Sequence, residues 1–162
     1  MTAASTLAHQ RPSKSRGRIL IVEDEVAIRD LLRIHLQNAG YETIAAADAV
    51  DAGRLFLEAA GSVDLMVVDA QLPYMNGIDF VSALIADTTL PVVPIILITG
   101  HERFVMRAAI LDVPCLVKPF SAADLIGLVE KTLGSAATVQ AAAGVRADGG
   151  NRPVVASANG ES

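Results

Sequence analysis

Three acids, one hydroxyl and one lysine each stand where a short apolar run stops. Glu23-Asp24 follow Ile19-Leu20-Ile21-Val22, Asp69 follows Leu65-Met66-Val67-Val68, Thr99 closes Ile95-Ile96-Leu97-Ile98, and Lys118-Pro119 follow Cys115-Leu116-Val117. Such runs read as buried strands, and an open α/β sheet binds its ligands at the carboxyl ends of its strands. Carboxylates brought together there repel one another unless a cation lies between them. Magnesium suits the set, because it prefers hard oxygen ligands, retains waters and commonly takes one or two carboxylates beside a phosphate oxygen. Asp69 can then attack phosphorus as a carboxylate nucleophile and form an acyl phosphate. The metal and Lys118 would neutralise the transferring oxygens, and Thr99 would donate a hydroxyl hydrogen bond to them.

Each residue also has a plainer reading. Asp24 alone is a helix cap, and Asp69 alone is a strand-ending turn residue. Independent caps and turns do not require acids at two strand ends, a hydroxyl at a third and Lys-Pro at a fourth, in this order. The joint placement favours a site.

The elements that must carry these residues alternate along the chain. Ile19–Val22 is a strand buried on both faces, and a helix follows with Ile28, Leu31, Leu32, His35 and Leu36 on one face, Asp24 as its candidate cap and Asn38-Ala39-Gly40 as its stop. Residues 43–47 form a weaker strand, and Asp48 caps a helix to about residue 60. Strand three, residues 64–68, enters the Asp69 loop, and Asn76-Gly77 starts a helix to about Ala86. Residues 94–99 are the most hydrophobic strand. A fourth helix carries Phe104, Val105, Ala108 and Leu111, with Ile110 widening its stripe. After the short strand Cys115–Val117, Ser121 caps a last helix bearing Leu125, Leu128, Val129 and Leu133. Five strands alternating with five helices predict a parallel sheet covered on both sides.

Length, charge and cysteine content narrow the function. At 162 residues and 52% hydrophobic composition, one folded domain with tails is expected: a disordered basic leader over residues 1–17, a domain over 18–134, and a disordered Ala- and Gly-rich tail over 135–162. Residues 19–134 hold 7 basic and 16 acidic side chains, 7 − 16 = −9, against a net of −5 for the chain. So acidic a core disfavours nucleic acid and favours divalent cations or basic partner surfaces. Cys115 is the single cysteine and can form no internal disulfide. With no apolar stretch long enough for a signal peptide or a membrane span, the expected location is cytoplasmic. No Gly-rich phosphate loop and no zinc spacing of Cys and His occur.

From about Arg18 to Gly134 the chain resembles the receiver domain of two-component response regulators. The residues that carry the likeness are the acidic pair Glu23-Asp24, the Asp-x-x-Leu-Pro-x-Met-x-Gly pattern from Asp69 to Gly77, Thr99, and Lys118-Pro119-Phe120. The resemblance implies a flavodoxin-like (βα)5 fold with strand order 2-1-3-4-5 and Asp69 as the phosphoacceptor. It further implies magnesium held by Asp24, Asp69 and the backbone carbonyl of Gln71, with Glu23 completing the acidic set, and a cis bond before Pro119. The phosphodonor would be a histidine kinase or a phosphotransfer protein, so the chain would be no enzyme beyond its own phosphorylation and dephosphorylation. A stand-alone receiver is expected, signalling by docking to a further protein or relaying phosphate in a phosphorelay.

One departure bears on mechanism. The family usually carries Tyr or Phe three residues before its lysine, where this chain has Cys115, and the stretch from Thr99 to Lys118 looks short. A constitutive, non-phosphorylated adaptor is therefore an alternative. So is an aspartyl-nucleophile phosphatase, although such enzymes commonly place a second Asp where this chain has Gln71. His35 reads as a core-edge histidine. His101, with Gln71, stands at the expected mouth of the site, and Cys115 reads as a small buried hydrophobe rather than a redox sensor.

Overall fold

The computed structural model of the protein describes residues 15–59 and 61–147. Five strands, β1 (Arg18–Val22), β2 (Glu42–Ala46), β3 (Leu65–Asp69), β4 (Ile95–Thr99) and β5 (Cys115–Val117), alternate with five helices. The helices are α1 (Val26–Asn38), α2 (Ala49–Glu58), α3 (Gly77–Ala86), α4 (Glu102–Ile110) and α5 (Ala122–Ala147). All the strands pair in parallel in the order β2-β1-β3-β4-β5, as the resemblance implied.

Alternation along the strands divides the core in two. Leu20, Val22, Met66, Val68 and Leu97 face α2, α3 and α4, which contribute Phe56, Ile78, Val81 and Phe104. Ile19, Ile21, Val67, Ile96 and Ile98 face α1 and α5, which contribute Leu32, Leu36, Leu125 and Val129. Because both faces are covered, β3 and β4 are buried at every position, which is why they read as unbroken apolar runs.

Local chemistry sets the element ends. Asp48 caps α2 by accepting from the Asp51 N–H, and Asn76 caps α3 by accepting from Asp79. Ser121 and Asp124 bond reciprocally at the start of α5, in the manner of a capping box. Helix α1 ends with Gly40 at φ +92°, while the Gly40 N–H reaches the Gln37 carbonyl and the Tyr41 N–H the Leu36 carbonyl.

Four expectations need correction. Asp24 does not cap α1: Glu25 takes that position and supplies no side-chain hydrogen bond. Leu31 and Ile110 are exposed rather than inward, because each apolar stripe is wider than the strip its helix buries. The last helix passes Gly134 and continues to Ala147. Alanine is the strongest helix former, so a stretch without an apolar stripe can still extend a helix already nucleated by packing. The leader joins the fold at its end: Arg16 donates from its backbone to the Gly40 carbonyl, pairs with Glu130 at 2.7 Å and lies over the Tyr41 ring. The rest of the expected leader, residues 1–14, and of the expected tail, residues 148–162, lies outside the described residues.

Candidate functional site

Sheet register assembles the site. Val22 pairs with Val68, so the next residues, Glu23 and Asp69, emerge side by side at the carboxyl edge. Thr99 ends β4 on the other side of β3, and the Lys118 N–H donates to the Thr99 carbonyl at 2.8 Å, which brings the lysine against that same edge. The Lys118–Pro119 bond is cis, as expected.

Gly77 lets the loop after Asp69 turn back tightly. Its N–H donates to the Ala70 carbonyl at 2.9 Å, and a Cβ built on it would lie 1.8 Å from the Asp69 carbonyl oxygen. No other residue fits without forcing the start of α3 and the end of β3 apart.

Asp69, Glu23 and Thr99 are buried at 4%, 2% and 1% exposure, so their polar atoms need partners within the protein. Asp69 Oδ1 accepts from the Gln71 backbone N–H at 2.6 Å, and Oδ2 accepts from Lys118 Nζ. The same ammonium lies 3.5 Å from Glu23 Oε2. Glu23 Oε1 accepts from the Glu25 N–H at 3.1 Å, whereas Oε2 is the buried side-chain oxygen left without a hydrogen-bond donor among the described residues. Thr99 Oγ1 accepts from the His101 N–H at 3.0 Å, which leaves the hydroxyl proton available for donation.

The electrostatics follow from this packing. Burial first, and the adjoining Asp69 carboxylate second, push the Glu23 carboxyl up to about 7. Burial works against the Lys118 ammonium, but contact with Asp69 and then Glu23 outweighs it and raises that pKa above the ordinary lysine value. Among the described residues one ammonium thus serves two buried carboxylates, and Glu23 retains an unpartnered oxygen. A pocket so short of positive charge has the donor set of a hard-cation site.

Glu23, Asp69 and Lys118 are in contact, Thr99 adjoins them at the next strand end, and Gln71 participates through its backbone. Asp24 is next to Glu23 in the chain, but its side chain is exposed. Among the described residues no three His, Cys, Asp or Glu side chains converge as a ready-made metal cage. Magnesium does not require one, since waters and a carbonyl oxygen fill much of its shell. The residues present therefore fit the metal.

Of the side residues, His101 occupies the cap position of α4, edge-on to Phe104. His35 is half-buried on α1. Cys115 is half-buried and its thiol is pushed up by burial, which disfavours the reactive thiolate. Arg29 was not anticipated. From α1 it donates to the Glu23 and Asp24 carbonyls at 2.7 and 3.2 Å. A hint was available in the sequence, since a cation near a helix N-terminus opposes the macrodipole and so needs another reason to be there.

Comparison with known proteins agrees with this arrangement. Residues 19–130 match the family described as response regulator receiver domain. Over 120 residues the chain is 36% identical to the alkaline phosphatase synthesis transcriptional regulatory protein SphR of Synechococcus elongatus, covering 68% of this chain and 46% of that protein. Over 118 residues it is 31% identical to the DNA-binding response regulator MtrA of Mycobacterium tuberculosis, covering 73% and 51%. The chain spans about half the length of these two relatives. The solved chemotaxis protein CheY4 of Vibrio cholerae superposes with a TM-score of 0.64 at 28% identity, covering 72% of this chain and 98% of that one.

Proposed function

Because this chain belongs to the response regulator receiver family of two-component systems, we propose that Asp69 is its phosphoacceptor and that the group comes from a phosphohistidine on a kinase or phosphotransfer protein. The observation that carries this reading is the Asp69 carboxylate itself, buried yet held at both oxygens by the Gln71 N–H and Lys118.

An Asp69 carboxylate oxygen attacks phosphorus as the P–N bond to the donor imidazole breaks. The leaving nitrogen keeps the electron pair and takes up a proton, and an acyl phosphate remains. The backbone N–H of Gln71 orients the nucleophile, and Lys118 neutralises charge at the oxygen it already touches. The Thr99 proton, not engaged by its His101 contact, is free to meet a phosphoryl oxygen. Asp24, Asp69 and the Gln71 carbonyl would hold magnesium, with Glu23 alongside. When bound, the metal supplies the positive charge this acidic edge lacks and steadies the phosphoryl oxygens. Phosphorylation adds about −1.5 to −2 charges beside Thr99 and Lys118, which join the site to α4 and β5. That is the surface we expect to respond.

Beryllofluoride, which imitates the phosphoryl group on a carboxylate, tests the site. A protein-bound fluorine NMR signal that requires both magnesium and Asp69 is expected. A signal that persists in Asp69→Asn, or none at saturating magnesium, would leave the chain as a receiver-like adaptor.

A further inference from the structure

Arg29 has no part in the chemistry described above, and its placement needs a reason. It lies near the N-terminus of α1, where the helix dipole disfavours a cation and where the first turn contains no acid to pair with it. It is half-buried, and its Nη1 is spent on two backbone carbonyls, those of Glu23 at 2.7 Å and Asp24 at 3.2 Å. The consequence runs through one peptide unit. In a trans peptide the carbonyl and the following N–H point in opposite directions. Drawing the Asp24 carbonyl toward Arg29 therefore turns the Glu25 N–H away from it, and that N–H is the donor to Glu23 Oε1 at 3.1 Å. With Oε1 fixed, Oε2 is the oxygen left facing Lys118 without a hydrogen-bond donor among the described residues.

We infer that Arg29 is a positioning residue for the acidic site: it acts through the Asp24–Glu25 peptide to aim the Glu23 carboxylate at the place a magnesium ion would take. The inference rests on the magnesium reading above for its ligand, but its geometric part stands in the metal-free chain. Groups that orient metal-facing carboxylates typically matter about 10- to 100-fold in affinity.

Arg29→Gln and Arg29→Lys are compared with wild type by calorimetric magnesium titration, by amide exchange of Glu25 in the metal-free chain, and by thermal unfolding. Arg29→Gln should weaken magnesium binding about tenfold and speed exchange at Glu25, with the melting temperature little changed. Arg29→Lys, which can still donate to the carbonyls, should restore much of both. The sign is diagnostic, because removing a nearby cation would by charge alone tighten magnesium binding. An unchanged Glu25 amide, or an affinity in Arg29→Gln within twofold of wild type, would overturn the assignment. If wild type bound no magnesium, the metal reading would fall instead, and the Glu25 amide would still decide whether Arg29 holds Glu23.

Discussion

Gly77→Ala should damage the site more than any surface change of equal size. The added Cβ would lie 1.8 Å from the Asp69 carbonyl oxygen, 2.8 Å from the Asp69 carbonyl carbon and 3.1 Å from Ala70 Cα, all of them backbone atoms. A carbon and a carbonyl oxygen in close contact lie about 3.3 Å apart. The start of α3 and the end of β3 must therefore separate by about 1.5 Å. β3 cannot yield easily, because the Ala70 N–H is bonded to the Ile98 carbonyl at 2.8 Å and the strand is paired on both sides. The movement falls on α3 and breaks the Gly77 N–H bond to Ala70, worth about 1 kcal/mol, while overpacking adds about 1–3 kcal/mol. The helix-propensity gain of Ala over Gly, at most about 1 kcal/mol, recovers only part. A net loss of about 1–3 kcal/mol follows. The displaced α3 pulls on the loop that holds the Gln71 N–H against Asp69 Oδ1; a misplacement near 1 Å of a positioning group costs on the order of 100-fold in rate, so phosphorylation from a small phosphodonor should slow by about that factor. Urea unfolding and a phosphorylation time course measure the two effects. Gly53→Ala on α2 is the control, with nothing within 4 Å of the added carbon, and it should be neutral or stabilising by up to about 1 kcal/mol. Wild-type stability and rate in Gly77→Ala would mean that the Gly77–Asp69 approach does not hold the site together.

Further outcomes follow from the same structure. In chelator, Glu23 binds its proton up to about pH 7 when folded but only up to the ordinary glutamate value of 4.5 when unfolded. The folded state then holds the extra proton between those values, so stability should fall as pH rises from 4.5 through 7, by no more than about 3 kcal/mol. Urea midpoints at pH 5 and pH 8 read this, and added magnesium should flatten the difference. Lys118→Met removes the one ammonium touching both buried carboxylates; phosphorylation should slow at least about 100-fold, and the metal-free chain should lose about 1–3 kcal/mol, less than for a dry pair because the lysine is 28% exposed. A chain ended at Gly134 should keep its magnesium response but lose far-UV helicity, since α5 continues to Ala147. Cys115 should react with maleimide more slowly in the native chain than after unfolding, because burial raises its thiol.

What the sequence revealed, and what it hid, divides by the range of the interactions. The strands were legible because burial on both faces leaves continuous apolar runs, and the caps Asp48 and Ser121 because they bond three residues ahead. The grouping of Glu23, Asp69, Thr99 and Lys118 was legible because each follows a strand and parallel strands share one carboxyl edge. Arg16 reads as part of a disordered leader because its partners, Gly40 and Glu130, are distant in the chain. Arg29 escaped notice because it serves backbone carbonyls, which leave no mark on a charge pattern. The exposure of Asp24 could not be read from the acidic pair, since the turn after β1 buries the first carboxylate and leaves the second at the rim.

The central claim is that Asp69 accepts a phosphoryl group with the help of a divalent cation. Intact mass after incubation with a small acyl-phosphate donor tests it most directly, comparing wild type with magnesium, wild type with chelator, and Asp69→Asn with magnesium. The account predicts one added phosphoryl group in the first sample alone. Equal labelling of Asp69→Asn, or labelling that ignores the chelator, would contradict it.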